Sequence, residues 1–464
     1  MVKGSAAVKD LDVIVKAYDI RGTYPDQIDA ATCRALGVGF GAFVRRVEAD
    51  TTEIAIARDM RPSGPELVDA FAQGAQSQGL DVVDLGLAST DLIYFASGSR
   101  RQPGVMFTAS HNPAGYNGIK MCLSGAVPIG EDSGLAEIKD VALRFGNDPA
   151  SVPAVAQPGR RSSADLLAAF AGHVRSFIDT DGLRRLKVVA DTANGMGGLV
   201  VPAAFEGLPF DLEILFGELD GTFPNHPADP IQIENLASLR ARVLETGADI
   251  GLAFDGDADR VFLVDERAEP VSGSLTTALL AKAILKDNPG AAVIHNLICS
   301  KVVPEVVREG GGRVIRSRVG HSFIKAIMAE EDAVFGGEHS AHYYFRDNYR
   351  ADSGLIASMM VLEQLSRSGG TLSALLEPLK RYEASGEINT KVKDAHEVIE
   401  HVARHYAHVD SDRLDGLTVD AGSWWFNLRP SNTEPLLRLN LEAPDQAEVQ
   451  VRVAEVQAVM AEVG

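Results

Sequence analysis

The chain has 464 residues, 45% of them hydrophobic and 23% charged, which is ample for several buried cores and excludes collagen-like, coiled-coil and disordered classes. With 44 Lys and Arg against 64 Asp and Glu, the formal net charge of −20 argues against nucleic acid or an anionic membrane as partner. A small anionic substrate stays compatible, because a few placed cations reverse the potential inside a cleft. Cys33, Cys122 and Cys299 are odd in number and form no CxxC pair, so a reducing, cytoplasmic compartment is expected. No run of about 18 apolar residues occurs, so no transmembrane helix is expected.

Along the chain, short Val/Ile/Ala-rich runs alternate with longer segments of helical period. Thr52–Arg58 predicts a strand, Gly64–Gly79 an amphipathic helix and Leu80–Leu85 another strand. The pattern recurs at Leu186–Asp191, Gly197–Glu206 and Asp211–Phe216, and again at Ala292–Ile298, Ser300–Gly310 and Arg313–Arg316. Asn147–Ser163 is rich in Pro, Ala and Ser and predicts a linker, with a helix following at Ala164–Ile178. The tail differs, with strands expected at Ile388–Val392, Leu417–Asp420, Trp424–Leu428 and Leu436–Glu442, and helices at Ala395–Tyr406 and Gln446–Val463. The fold class expected is therefore α/β: three successive doubly wound-like domains (1–155, 156–266 and 267–381) and a smaller C-terminal α+β domain (382–464).

Four segments carry chemistry. Asp255-Gly-Asp-Ala-Asp-Arg260 follows the apolar run Asp249–Phe254, and alternate positions can converge Asp255, Asp257 and Asp259 on one point. Three carboxylates that close repel unless a cation joins them, and hard oxygen ligands favour Mg²⁺ or Ca²⁺. A solvated acidic turn remains an alternative, whereas a calcium loop of the EF-hand kind would need Gly where Arg260 stands. The segment Phe107–Pro113 (FTASHNP) presents Ser110 in a loop near His111 and Lys120. It also reads as a turn with a capping Ser. Side chains adjacent in sequence usually diverge, so no Ser-His-Asp triad is inferred. Arg429–Pro435 (RPSNTEP) offers a bidentate guanidinium with hydroxyl and amide donors, a phosphate cradle without a Walker sequence, or else a polar turn. In Gly336–His342 (GGEHSAH), Glu338, Ser340 and His342 alternate and can face neutral hydroxyls, but HExxH zinc spacing is absent. Lys16–Gly22 (KAYDIRG) and Gly320-His321-Ser322 are weaker signals.

In this order and spacing, KAYDIRG, TASHNP, DGDADR, GEHSAH and RPSNTEP resemble the α-D-phosphohexomutase family, specifically its bacterial phosphomannomutase/phosphoglucomutase branch. The resemblance implies a four-domain enzyme with one cleft. Ser110 would be the phosphoserine, and Asp255, Asp257 and Asp259 would hold Mg²⁺ together with its phosphate. Glu338 and Ser340 would bind sugar hydroxyls, and Arg429, Ser431, Asn432 and Thr433 would grip the non-reacting phosphate. Tyr18, Arg21, Lys120, Arg260, Lys301, Gly320, His321 and His342 match cleft positions, with Lys120 and His321 as candidates for proton transfer. The implied activity interconverts hexose 1- and 6-phosphates of mannose or glucose through a hexose 1,6-bisphosphate. His339 and Ala341 stand where mannose- and glucose-active members commonly carry Met and Gly, so a glucosamine-specific relative remains an alternative. A Mg²⁺ phosphohydrolase and a sugar-phosphate sensor that has lost turnover are further alternatives, though each leaves part of the motif set unused.

Overall fold

The computed structural model describes residues 8–430 and 436–463, and of His321 and Ser322 the backbone alone. The chain forms two units, one built from the segment up to Val271 with His342–Ser373, the other from Ser272–Ala341 with the segment from Ala374 onward.

In the first unit, Glu53–Arg58 runs parallel to Asp81–Leu87 on one side and to Gly104–Phe107 on the other. Its four inner residues are fully buried, the near-continuous apolar run expected of a strand covered on both faces. The sheet continues antiparallel through Tyr116–Leu123 to Ile20–Thr23. Helices Ala30–Val47 and Gly64–Ser77 cover it, the first capped by Asp29, whose side chain accepts from the Thr32 N–H at 2.9 Å. Phe71 joins helix to sheet, its ring 5.7 Å from Phe40 and 5.6 Å from Phe107. The expected linker contains a further strand, Arg161–Ser163, parallel to Asp81–Leu87. Its side chains are exposed, so no apolar alternation marks it; edge pairing and the Arg161 ion pairs with Asp69 and Asp84 hold it. The helix after it is shorter than expected, Leu167–Arg175.

A second sheet in this unit orders Pro270–Val271, Val261–Asp265, Ile250–Phe254, Leu186–Asp191 and Phe210–Leu215. The last three pair in parallel and the first three antiparallel. Both sheets are therefore mixed, and their antiparallel turns present the chemistry. Residues 255–260 join Ile250–Phe254 to Val261–Asp265, and residues 108–115 join Gly104–Phe107 to Tyr116–Leu123.

The second unit contains the parallel strands Arg313–Ser317, Ala292–Asn296 and Phe335–Gly337, with the helix Gly273–Asp287 capped by Ser272. It also contains an antiparallel sheet ordered Glu383–Lys391, Leu436–Ala443, Trp425–Pro430, Leu417–Asp420 and Asp410–Asp412. Helices Ala395–His405 and Gln446–Ala461 pack Val398, Val402, Val456 and Met460 against Phe426, Leu428 and Leu439. The tail is an α+β unit as expected, with one unanticipated edge strand, Asp410–Asp412, whose polar side chains carry no strand signal. Among the described residues no helix is long and apolar enough to cross a membrane.

Candidate active site

The serine loop meets the acidic loop inside the first unit. Ser110 has φ 49°, a left-handed backbone uncommon for a side chain of this kind, and its Oγ donates to Asp255 Oδ2 at 2.7 Å. The approach is close because residue 256 is glycine: a Cβ there would lie 2.5 Å from the Ser110 carbonyl oxygen. Asp255, Asp257 and Asp259 are buried, and one ligand oxygen from each lies within 4.8 Å of the others. Burial on this scale excludes the solvated acidic turn. Asp257 Oδ1 and Asp259 Oδ1 are buried without a hydrogen-bond partner. Three converging carboxylates, two of them with an orphaned oxygen, suit a hard cation such as Mg²⁺, so the residues fit the implied metal.

Two cations offset this charge. Lys120, opposite Met106 in the sheet register, places Nζ 2.8 Å from Asp257 Oδ2 and 2.6 Å from Asp259 Oδ2. Burial opposes its charge, but the two carboxylates win and hold the ammonium well above the usual lysine range. Lys120 in turn outweighs the burial of Asp257 and holds it below the usual carboxylate range. Burial pushes Asp255 up to about 7, with Arg260 opposing the rise and Asp257 and Asp259 adding to it. Arg260 Nε donates to Asp255 Oδ2 at 3.0 Å, and its Nη2 lies 2.6 Å from His111 Nδ1. Adjacency in sequence predicts that Ser110 and His111 diverge; instead His111 Nδ1 lies 3.2 Å from Ser110 Oγ, because the left-handed turn at Ser110 folds the chain back. Burial and the nearby Arg260 lower His111 to about 2, so it is neutral, and the nitrogen facing Ser110 accepts from Arg260. A triad base is thus excluded by geometry rather than by divergence.

Arg21 reaches the same loop, donating from Nη1 to Asn112 Oδ1 at 2.6 Å while Nη2 pairs with Asp19 at 2.5 Å. Tyr18 is half-buried beside it in sequence. His342 also belongs to this unit: its Nδ1 lies 2.8 Å from Asp352 Oδ2, and His342, Asp352 and Asp259 present ligand atoms within 4.8 Å of one another. Asp352 and Thr90, whose hydroxyl donates to Asp257 Oδ2 at 2.6 Å, are site residues missed in the sequence. A lone Asp after Ala351 and a Thr opening a helix carry no chemical signature by themselves.

In the second unit, Glu338 is buried and its Oε1 accepts from Asn296 Nδ2 at 3.2 Å and from the Gly320 N–H at 3.3 Å. Ser340 is half-buried. Lys301 Nζ is engaged by Asp420 Oδ1 at 2.5 Å and the Gly422 carbonyl at 2.7 Å. Arg429 stands directly opposite Arg438 in the sheet register, a like-charge pair that Glu387 bridges, 2.9 Å from Arg429 Nη2 and 3.7 Å from Arg438 Nε. Among the described residues neither buried Nε atom has a hydrogen-bond partner, which leaves donors for an anion. Ser431, Asn432 and Thr433 lie outside the described residues, as does the side chain of His321.

Comparison with known proteins matches four family models in succession. Residues 12–144, 165–269 and 272–382 match the phosphoglucomutase/phosphomannomutase alpha/beta/alpha domains I, II and III, and residues 387–459 match the C-terminal domain. A Xanthomonas campestris pv. campestris protein named as phosphohexose mutase is 39% identical over 95% of this chain and 97% of its own. A phosphomannomutase from Escherichia coli K12 is 39% identical over 92% and 94%. A crystal structure of a phosphoglucomutase/phosphomannomutase family protein from Burkholderia thailandensis superposes with a TM-score of 0.86 at 33% identity, covering 97% of each chain.

Proposed function

Because the chain belongs to the phosphoglucomutase/phosphomannomutase family, we propose that it interconverts hexose 1-phosphate and hexose 6-phosphate, of mannose or glucose, in the cytoplasm. The observation that supports this most is Ser110 Oγ held 2.7 Å from Asp255 within a buried cluster of three aspartates. Such a cluster has no use in a core, where uncompensated carboxylates are costly, and it suits a serine that carries phosphate. Asp255, Asp257 and Asp259 would hold Mg²⁺, which when bound draws charge from a transferring phosphoryl group.

Phospho-Ser110 gives its phosphoryl group to a free hydroxyl of the substrate. The new oxygen–phosphorus bond forms as the Oγ–phosphorus bond breaks, and the product is a hexose 1,6-bisphosphate. The hydroxyl proton passes to a base beside the reacting oxygen, for which Lys120, His321 and His342, whose Nδ1 lies 2.8 Å from Asp352 Oδ2, are the candidates. Ser110 regains a proton and returns to the hydroxyl that donates to Asp255. The intermediate then presents its other phosphate, and the same steps in reverse reload Ser110 and leave the isomeric monophosphate. Lys120 also neutralises charge here, since two carboxylates stabilise its ammonium. Glu338 and Ser340 bind sugar hydroxyls, and Arg429 with Ser431, Asn432 and Thr433 binds the non-reacting phosphate. The open Nε donors of Arg429 and Arg438 support that role.

Ser110→Ala tests the covalent step. Isomerisation of glucose 1-phosphate and mannose 1-phosphate should fall by at least ~10³-fold, and the single phosphate seen by intact mass on the parent protein should vanish. Turnover within tenfold of the parent refutes a phosphoserine carrier, and release of inorganic phosphate as fast as isomerisation would instead indicate a phosphohydrolase.

A further inference from the structure

The most extensively bonded side chain in the first unit is one that none of the sequence motifs contains. Arg61 is fully buried, as is its partner Asp59. A guanidinium has five N–H donors, and all five are used. Nε donates to Asp59 Oδ2 at 3.1 Å. Nη1 donates to the carbonyl oxygens of Pro113 at 2.8 Å and Tyr116 at 2.9 Å. Nη2 donates to those of Ser110 at 2.9 Å and Asn112 at 2.7 Å. Four carbonyl oxygens of one loop therefore end on one planar cation. The ring of Phe223 stacks on the guanidinium at 5.2 Å, and Gly221 is bare because a Cβ there would lie 2.6 Å from Arg61 Cα.

A loop that holds a serine at positive φ is strained and persists only where its surroundings overdetermine it. Within the loop the Ser110 N–H donates to Thr108 Oγ1 at 2.9 Å and the Asn112 N–H to the Ala109 carbonyl at 3.0 Å, while the carbonyls of Ser110, Asn112, Pro113 and Tyr116 are gathered from outside it by Arg61. We propose that Arg61 is a positioning residue for phosphoryl transfer, a template that sets the backbone of residues 110–116 so that Ser110 Oγ faces the acidic loop. The role rests on the reading of Ser110 as phosphoryl carrier. Lysine cannot substitute, since an ammonium has three donors and no plane.

The test compares Arg61→Lys and Arg61→Ala with the parent, reading steady-state kinetics and amide hydrogen exchange of residues 108–118. Arg61→Lys should lower kcat by about 10²-fold while KM for glucose 1-phosphate changes less than about twofold, the pattern of a displaced reacting atom with intact substrate binding. Arg61→Ala should regain at least about tenfold in kcat on addition of guanidinium chloride but not of sodium chloride at equal ionic strength, which a purely structural role would not produce. Both variants should speed exchange in residues 108–118 and nowhere else in the sheet. An Arg61→Lys kcat within twofold of the parent, or unchanged exchange in that segment, overturns the proposal. Should Arg61→Lys not fold, Phe223→Leu, which only unstacks the guanidinium, should show the same localised exchange at smaller amplitude. Should the parent prove inert toward every hexose phosphate, the mutase reading fails, and the exchange measurement alone still decides whether Arg61 templates the loop.

Discussion

Removing the ammonium of Lys120 isolates the electrostatics on which the site depends. Lys120→Met keeps most of the buried stem and deletes one charge, leaving Asp257 Oδ2 and Asp259 Oδ2 without their partner 2.8 and 2.6 Å away. Both carboxylates are buried, so water does not replace the lost bonds. Breaking a buried pair from one side costs about 3–5 kcal/mol, because the remaining charge is uncompensated. In chelator, calorimetry should show the transition of the first unit lowered by roughly 10 °C. The metal supplies a second reading. At a Mg²⁺ concentration about 100 times its Kd, the parent gains about 2.7 kcal/mol. The variant should gain more, because a divalent cation takes over the compensation that the lysine supplied. The stability gap then shrinks by about 1.4 kcal/mol for each tenfold by which the variant binds the ion more tightly. A variant as stable as its parent in chelator would refute the compensating role of Lys120. Equal gains from Mg²⁺ in both proteins would show that ion and ammonium do not act on the same carboxylates.

Other outcomes follow from neighbouring residues. Burial raises Asp91 to about 7, with Ser89 and Ser353 hydroxyls opposing and the charges of Asp259 and Asp352 adding to the rise. A folded pKa above the unfolded one means that its stabilisation is complete below about pH 4 and lost as pH climbs through about 7. Asp91→Asn should remove that loss, so the variant gains on the parent by about 2.6 kcal/mol between pH 5 and pH 8. Urea midpoints in chelator, followed by far-ultraviolet circular dichroism, read this directly, and a difference independent of pH contradicts it. Gly256→Ala should separate the two loops, since the new Cβ would sit 2.5 Å from the Ser110 carbonyl oxygen. Mg²⁺ affinity and kcat should both fall by tenfold or more, on the order of 1.4 kcal/mol each. Parental Mg²⁺ binding by titration calorimetry would show that the contact is not needed.

The ladder of strands and helices was legible because it is written in local periodicity. Buried parallel strands such as Glu53–Arg58 and Leu186–Asp191 are apolar runs of the right length, and the helix Gly64–Ser77 follows its amphipathic period. The edge strands Arg161–Ser163 and Asp410–Asp412 escaped detection because exposed side chains leave no such imprint.

Site residues divide in the same way. Asp255, Asp257, Asp259 and Ser110 stand in short segments whose composition already speaks of phosphate and metal, and the order of those segments along 464 residues was enough to reveal kinship. Which groups face one another depends on contacts between residues far apart in the chain, and only the folded chain sets those. Arg61 reaches a loop 49 residues ahead, Lys120 meets Asp257 across 137, and Asp352 orients His342 from beyond a strand. The residue types that do chemistry are a property of the linear chain. The charge balance, tautomer and backbone strain that make them reactive arise from low-dielectric burial and long-range pairing, which come into being only on folding.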